Sequence, residues 1–237
     1  MSSENLSWKR YFNLKNLIIT AIIISIIISG AFYLQESTNI VPQELLNTAL
    51  TNTLEAKSYQ FHTKSSIIID GQEKTFSDIA GERGDSKTFH VTGSMLGTDI
   101  NVYQIGDTTY RLDSLTNKWI VTENNSLLRE SLLMAELNPL SNFYFKEIVS
   151  AEYLGMEKID RHKMYKITCR PRINNKWLDG YFKDLNYIIW IDKKDKMIKK
   201  ATMTAISKEK ESSSLTIEVI LENFNKEFNI KPPSLSS

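Results

Sequence analysis

The sequence predicts an α+β chain: a strongly curved antiparallel β-sheet, a half-barrel, with helices covering its concave face and one transmembrane helix in front of it. Three observations carry this reading. An uncharged run, Leu17 to Leu34, follows a basic leader. From Ser58 onward, apolar and polar residues alternate in short runs punctuated by Gly and Asp, the pattern of half-buried strands joined by tight turns. Two stretches, Pro42 to Ala56 and Leu127 to Leu137, instead repeat leucine at helical spacing, so each carries one apolar stripe in need of a surface to cover.

Residues 1–16 read as a cytoplasmic leader whose Trp8, Tyr11 and Phe12 suit the headgroup level. The run 17–34 spans about 27 Å as a helix, close to the hydrocarbon thickness of a bilayer. Lys9, Arg10 and Lys15 precede it and Glu36 follows, which keeps the N-terminus in the cytoplasm and exports the rest as a single-pass protein of the cell membrane. The competing reading is a secretory signal cleaved after Ala31, at the small residues Ser29-Gly30-Ala31. The run exceeds the usual signal core of about 7–15 residues, which favours an uncleaved anchor. There is no cysteine near its end to carry a lipid. The linker 35–41 reaches at most about 23 Å, so the domain sits close to the membrane.

Composition narrows the function classes. Lys and Arg total 29 against 28 Asp and Glu, a net charge of +1, so no basic field draws in nucleic acid. The single cysteine, Cys169, excludes an intrachain disulfide and a cysteine-based zinc site.

The domain begins at Pro42, which suits the first turn of a helix, with Glu44 at the positive end of its dipole. Leu45, Leu46, Ala49, Leu50 and Leu54 form its stripe. Tyr59, Phe61, Ile67 and Ile69 then alternate with polar residues up to the Asp70-Gly71 turn. Further strands are expected at Lys74–Glu82, Thr88–Met95, Thr98–Ile105, Thr108–Asp113 and Lys118–Glu123, parted by Gly84-Asp85, Gly97 and Gly106-Asp107. Ser126 caps the second helix and Asn138-Pro139 ends it; an aromatic loop follows to Phe145. Strands resume at Ile148–Met156 and Lys163–Arg170, with an irregular insertion over Asn174–Asn186. The nearly continuous apolar run Tyr187–Asp192 implies burial on both faces. Met197–Ile206 and Leu215–Glu222 complete the domain, 42–228, and the serine- and proline-bearing tail 229–237 is expected to be disordered. Roughly ten strands in one sheet would curl, and where the two helices fail to fill the concave face a pocket remains.

The order of elements resembles the bacterial lipoprotein carrier superfamily, the LolA/LolB-like fold with its LppX/LprG-like relatives. The resemblance rests on the first helix running into Ala56-Lys57-Ser58-Tyr59-Gln60-Phe61, on Ile79-Ala80-Gly81-Glu82, on the mid-chain helix ending Asn138-Pro139-Leu140, and on Ile189-Trp190-Ile191-Asp192-Lys193 followed by Met197-Ile198-Lys199-Lys200. It implies a half-barrel that holds acyl chains, with no catalysis and no cofactor. The cavity would be lined by Leu46, Leu50, Tyr59, Phe61, Leu128, Leu132, Leu133 and Trp190, with Leu127–Leu137 as lid or as core. The chain differs from carriers of this type by its anchor, which rules out shuttling across an envelope and leaves local extraction, presentation or sensing of lipid.

No hydrolase, zincin or phosphate-binding motif is present, and His62, His90 and His162 are scattered, so neither an active site nor a metal site is expected. Cys169, in alternation with Tyr165 and Ile167, reads as a small buried hydrophobe. Lys193, Lys194, Lys196, Lys199 and Lys200 form the one basic cluster, either a solvated hairpin tip or a contact for anionic headgroups. The function expected is binding of a membrane lipid or other apolar ligand; the alternative is a regulatory or scaffold protein that uses the same fold to bind an envelope protein at the cell surface, in envelope signalling or a spore-related process.

Overall fold

A computed structural model describes residues 18–29, 40–85, 87–123, 138–173 and 175–235, the side chains of 176 and 177 excepted. The chain divides into two units, Met1–Ile40 and Val41–Ser237. In the first, residues 18–29 are helical with their isoleucines exposed. These twelve residues are part of the expected span 17–34, and among the described residues no helix is long and apolar enough to cross a membrane. Leu17 and residues 30–34, the ends of the apolar run, lie outside the described residues, as does the mid-chain helix expected over Leu127–Leu137.

The second unit begins with helix α1, Pro42–Leu54, with Pro42 in the first turn and Glu44 beside the exposed N–H groups. Leu46, Ala49, Leu50 and Thr53 form its buried stripe. Eleven strands follow: β1 Tyr59–Ile69, β2 Gln72–Asp85, β3 Thr88–Met95, β4 Thr98–Ile105, β5 Thr108–Leu112, β6 Trp119–Glu123, β7 Phe145–Ile159, β8 His162–Ile173, β9 Phe182–Asp192, β10 Ile198–Ser207 and β11 Ser214–Glu222. A 3₁₀ turn, Pro139–Phe143, precedes β7, and a short helix α2, Lys176–Tyr181, precedes β9. Turns fall where expected at Asp70-Gly71, Gly97 and Gly106-Asp107, but Gly84 and Asp85, expected as a turn, are the last residues of β2. Asp70 and Gly71 both take positive φ, 53° and 79°, the geometry that matches the twist of the paired strands.

All eleven strands form one antiparallel sheet in the order β6-β5-β4-β3-β2-β1-β11-β10-β9-β8-β7. β1 is therefore the middle strand: the first half of the chain meanders outward from it to the edge β6, and the second half runs from the other edge, β7, inward to β11 beside it. Directly paired residues share a face, so register sorts the sheet into a core face and an outer face. The core face carries Phe61, Thr63 and Ser65 on β1, paired with Gly81, Ile79 and Ser77 on β2 and with Leu221, Val219 and Ile217 on β11. Ile79, Val91, Ile167, Ile189, Ile191 and Leu221 on this face are fully excluded from solvent.

Helix α1 lies on the β7–β10 side of the core face and is pinned at both ends. Gln43 Nε2 donates to the Ile148 carbonyl at 3.5 Å. Asn52 Nδ2 reaches the Asp195 and Lys196 carbonyls at 3.3 and 3.4 Å, and the fully buried Thr53 Oγ1 accepts the Ile198 N–H at 2.9 Å.

Candidate ligand-binding site

Two glycines set the shape of the core face. A Cβ on Gly81 would stand 2.8 Å from Phe61 Cζ and 2.7 Å from the His90 carbonyl oxygen, so the bare backbone is what lets the Phe61 ring lie across β2. Gly93 has φ +144°, and a Cβ there would stand 2.1 Å from the Asp78 carbonyl oxygen. At the same end of β1 and β2, Tyr59 pairs with Arg83, whose guanidinium carbon lies 5.7 Å from the centre of the Phe89 ring. Burial pushes the Tyr59 hydroxyl up to about 12, with Arg83 opposing the shift. Tyr59 is thus a neutral donor, with Asn138 Oδ1 3.4 Å away.

The expected lining residues fall into three groups. Leu46, Leu50, Tyr59 and Phe61 are buried, the first pair on the packed stripe of α1 and the second on the core face of β1. Leu128, Leu132 and Leu133 lie outside the described residues. Trp190 is on the other side of the sheet, which corrects the expectation for it: it pairs with Lys200 and Lys166, whereas its neighbours Ile189 and Ile191 pair with Ile167 and Tyr165 on the core face. Its indole N–H donates to Glu157 Oε2 at 3.0 Å, and the ammonium groups of Lys166 and Lys200 lie 5.0 and 5.5 Å from its ring centre. The indole bond and Lys166 hold the Glu157 carboxyl below its usual range. The tryptophan is buried by charged chains that cover it, not by a cavity.

Asp192, two residues on, shapes the turn. Its Oδ1 accepts the N–H groups of Lys194 and Asp195 at 2.7 and 3.2 Å, and its Oδ2 lies 2.9 Å from His162 Nδ1. Burial alone would raise its pKa, but these bonds outweigh burial and hold it below the ordinary carboxylate value. Asp192 of the Ile189–Lys193 stretch therefore serves the hairpin turn.

Three lysines of the basic cluster are engaged by neighbours. Lys199 meets Asp195 at 2.8 Å and Lys200 meets Glu218 at 2.7 Å, while Lys196 lies 4.4 Å from the centre of the Tyr165 ring. His62 bonds Asp78 at 2.6 Å, and His90 bonds Asn101 at 3.0 Å and stacks on Tyr103. Among the described residues no three histidine, cysteine or acidic side chains are grouped to hold a metal. Cys169 is buried on the core face opposite Tyr187 and Ala151, and burial pushes its thiol up to about 12, which leaves it no thiolate at neutral pH.

Described residues bound a groove and an adjoining depression. A groove of about 410 Å³ runs over the outer face between Gln60, His62, Glu82, His90 and Glu222. A depression of about 770 Å³ adjoins it at Ile220 and Glu222 and extends past the β7–β8 and β9–β10 turns. The residues that sequence reasoning missed lie elsewhere, on the core face of the N-terminal half: Thr63, Val91, Met95 and Val102, all buried. The period-two pattern of β3 and β4 held the signal for the apolar three.

An open antiparallel sheet with its N-terminal strand in the middle and an amphipathic helix laid on one face defines the LolA/LppX-like fold, and this chain has that fold. The structure is similar to the crystal structure of the lipoprotein LppX of Mycobacterium tuberculosis, with TM-score 0.51 and 17% identity over 81% of this chain and 100% of the other. It is also similar to LprF of Mycobacterium bovis, with TM-score 0.55 and 10% identity over 81% of this chain and 97% of the other. No family model matches the chain, and no curated protein matches it by sequence.

Proposed function

We propose that this protein binds an apolar ligand, a membrane lipid, against the core face of its sheet on the extracytoplasmic side of the membrane, and that it catalyses no reaction. One observation carries the reading: the core face of an eleven-stranded, unclosed sheet is lined mainly by apolar residues from β2 to β8, and among the described residues helix α1 packs chiefly against the C-terminal part of it, through β7, β10 and the 3₁₀ turn. A surface of this kind gains about 0.8 kcal/mol for each CH₂ it takes out of water. The likeness to a bacterial lipoprotein supports the extracytoplasmic setting, and the charge asymmetry around the run 17–34 supports an anchored one.

The test is native mass spectrometry of the full chain isolated from bacterial membranes, followed by organic extraction and lipid identification. A stoichiometric lipid is the expected result. A bare mass that persists after incubation with vesicles would overturn the reading. A second reading, docking of an envelope protein, is favoured by the edge strand β7, fifteen residues long, on which Val149 and Leu154 are exposed; an open edge of that length can pair with an added strand. Crosslinking in cells through β7 would then capture one protein rather than lipid.

A further inference from the structure

The row of the core face that crosses the middle of β1 runs through Ile79, Thr63, Val219, Ala201, Ile189 and Ile167, one from each of six adjacent strands. Thr63 is the single hydroxyl among them. It is 0% exposed, and its Oγ1 has no hydrogen-bond partner. The neighbouring row holds two more buried hydroxyls, Ser65 and its cross-strand partner Ser77, but both of these are engaged. Of these three, Thr63 alone is unpaired, and it sits within a buried row that is otherwise apolar on both sides; the other unpaired buried hydroxyl among the described residues, Ser141 Oγ, lies in the 3₁₀ turn, away from this row. A hydroxyl desolvated in this way destabilises the fold, and valine would fill the same volume without the penalty. Threonine at this place therefore answers to something outside the protein's own hydrogen bonding.

We propose that Thr63 reads the ester carbonyl of an acyl lipid lying across the core face. The hydroxyl donates to the carbonyl oxygen, the acyl chain extends over Ile79 or over Val219 and Ala201, and the alcohol portion of the lipid leaves on the other side. The inference rests on the proposed lipid binding and adds the linkage: a free hydrocarbon or an ether-linked lipid offers Thr63 no carbonyl. Because Thr63 is covered in this structure, opening of the face is part of binding.

The experiment compares diacyl- and dialkyl-phosphatidylglycerol of matched short chains, added as monomers to the full chain and quantified by native mass spectrometry. The ester form is expected to bind about five- to tenfold more tightly than the ether, the worth of one hydrogen bond. Thr63→Val should abolish that preference while raising Tm by about 2–4 °C, and Thr63→Ser should keep the preference. If wild type binds ester and ether equally and Thr63→Val changes neither affinity, the ester inference is overturned while lipid binding stands. If wild type binds neither, the lipid reading itself falls.

Discussion

At the scale of single residues, the positions that matter most are those where one atom has nowhere else to go. Gly93 is one, with its would-be Cβ 2.1 Å from a carbonyl oxygen of β2. Gly93→Ala should cost about 2–4 kcal/mol, from backbone strain and displacement of β2 together, read as a lowered denaturation midpoint in urea; Gly71→Ala, in open space but also at positive φ, should cost only about 1 kcal/mol. Asp192 is another. Its folded pKa is depressed, so the stability it contributes is present above its unfolded value near 4 and disappears as pH falls through the lower folded value. Asp192→Asn should therefore be less stable than wild type by about 1–3 kcal/mol at pH 7, and the gap should narrow progressively below about pH 4. A gap that stays constant down to pH 2 would mean that the carboxylate charge plays no part.

At the scale of elements, helix α1 is held by its apolar stripe and by one buried hydrogen bond at its C-terminal end. Thr53→Val keeps the volume but strands the Ile198 N–H, a loss of about 1–3 kcal/mol, while Leu46→Ala should cost about 2–5 kcal/mol through the cavity it leaves. Chemical denaturation of each variant checks both. Most elements could be read from the sequence because their turns announce themselves: β3 and β4, Thr88–Met95 and Thr98–Ile105, have the bounds that Gly97 and its neighbours indicate. The failures have physical causes. The first part of β9, Phe182–Asn186, reads as irregular because Asp184 takes φ +54° and the register against β10 slips between Thr204 and Ile206, which breaks the alternation. β7 extends beyond its apolar stretch in both directions because pairing with β8 alone sustains it, through three register shifts. Trp190 was legible as buried but not as to side. In a continuous apolar run parity carries no signal, and only the register brings Lys166 and Lys200 over its ring.

At the scale of the whole molecule, a ligand that binds only the folded form adds to stability by mass action. Protein stripped of lipid by organic extraction and refolded should melt lower, by about 5–10 °C for a ligand held at a hundredfold excess over its Kd, and should recover on readdition; an unchanged Tm would count against an occupied core face. The order of the sheet has a different consequence. The pairing of Gln60 with Glu222 joins residues from opposite ends of the domain. A chain that emerges in sequence from a ribosome or an export pore lays down β1 to β6 long before β11 exists. Through that interval β1, destined for the middle of the sheet, is a bare edge open to any other strand. A chain that stalls or is clipped before Ser214 keeps that edge, and sedimentation should find it in aggregates rather than as a smaller soluble domain.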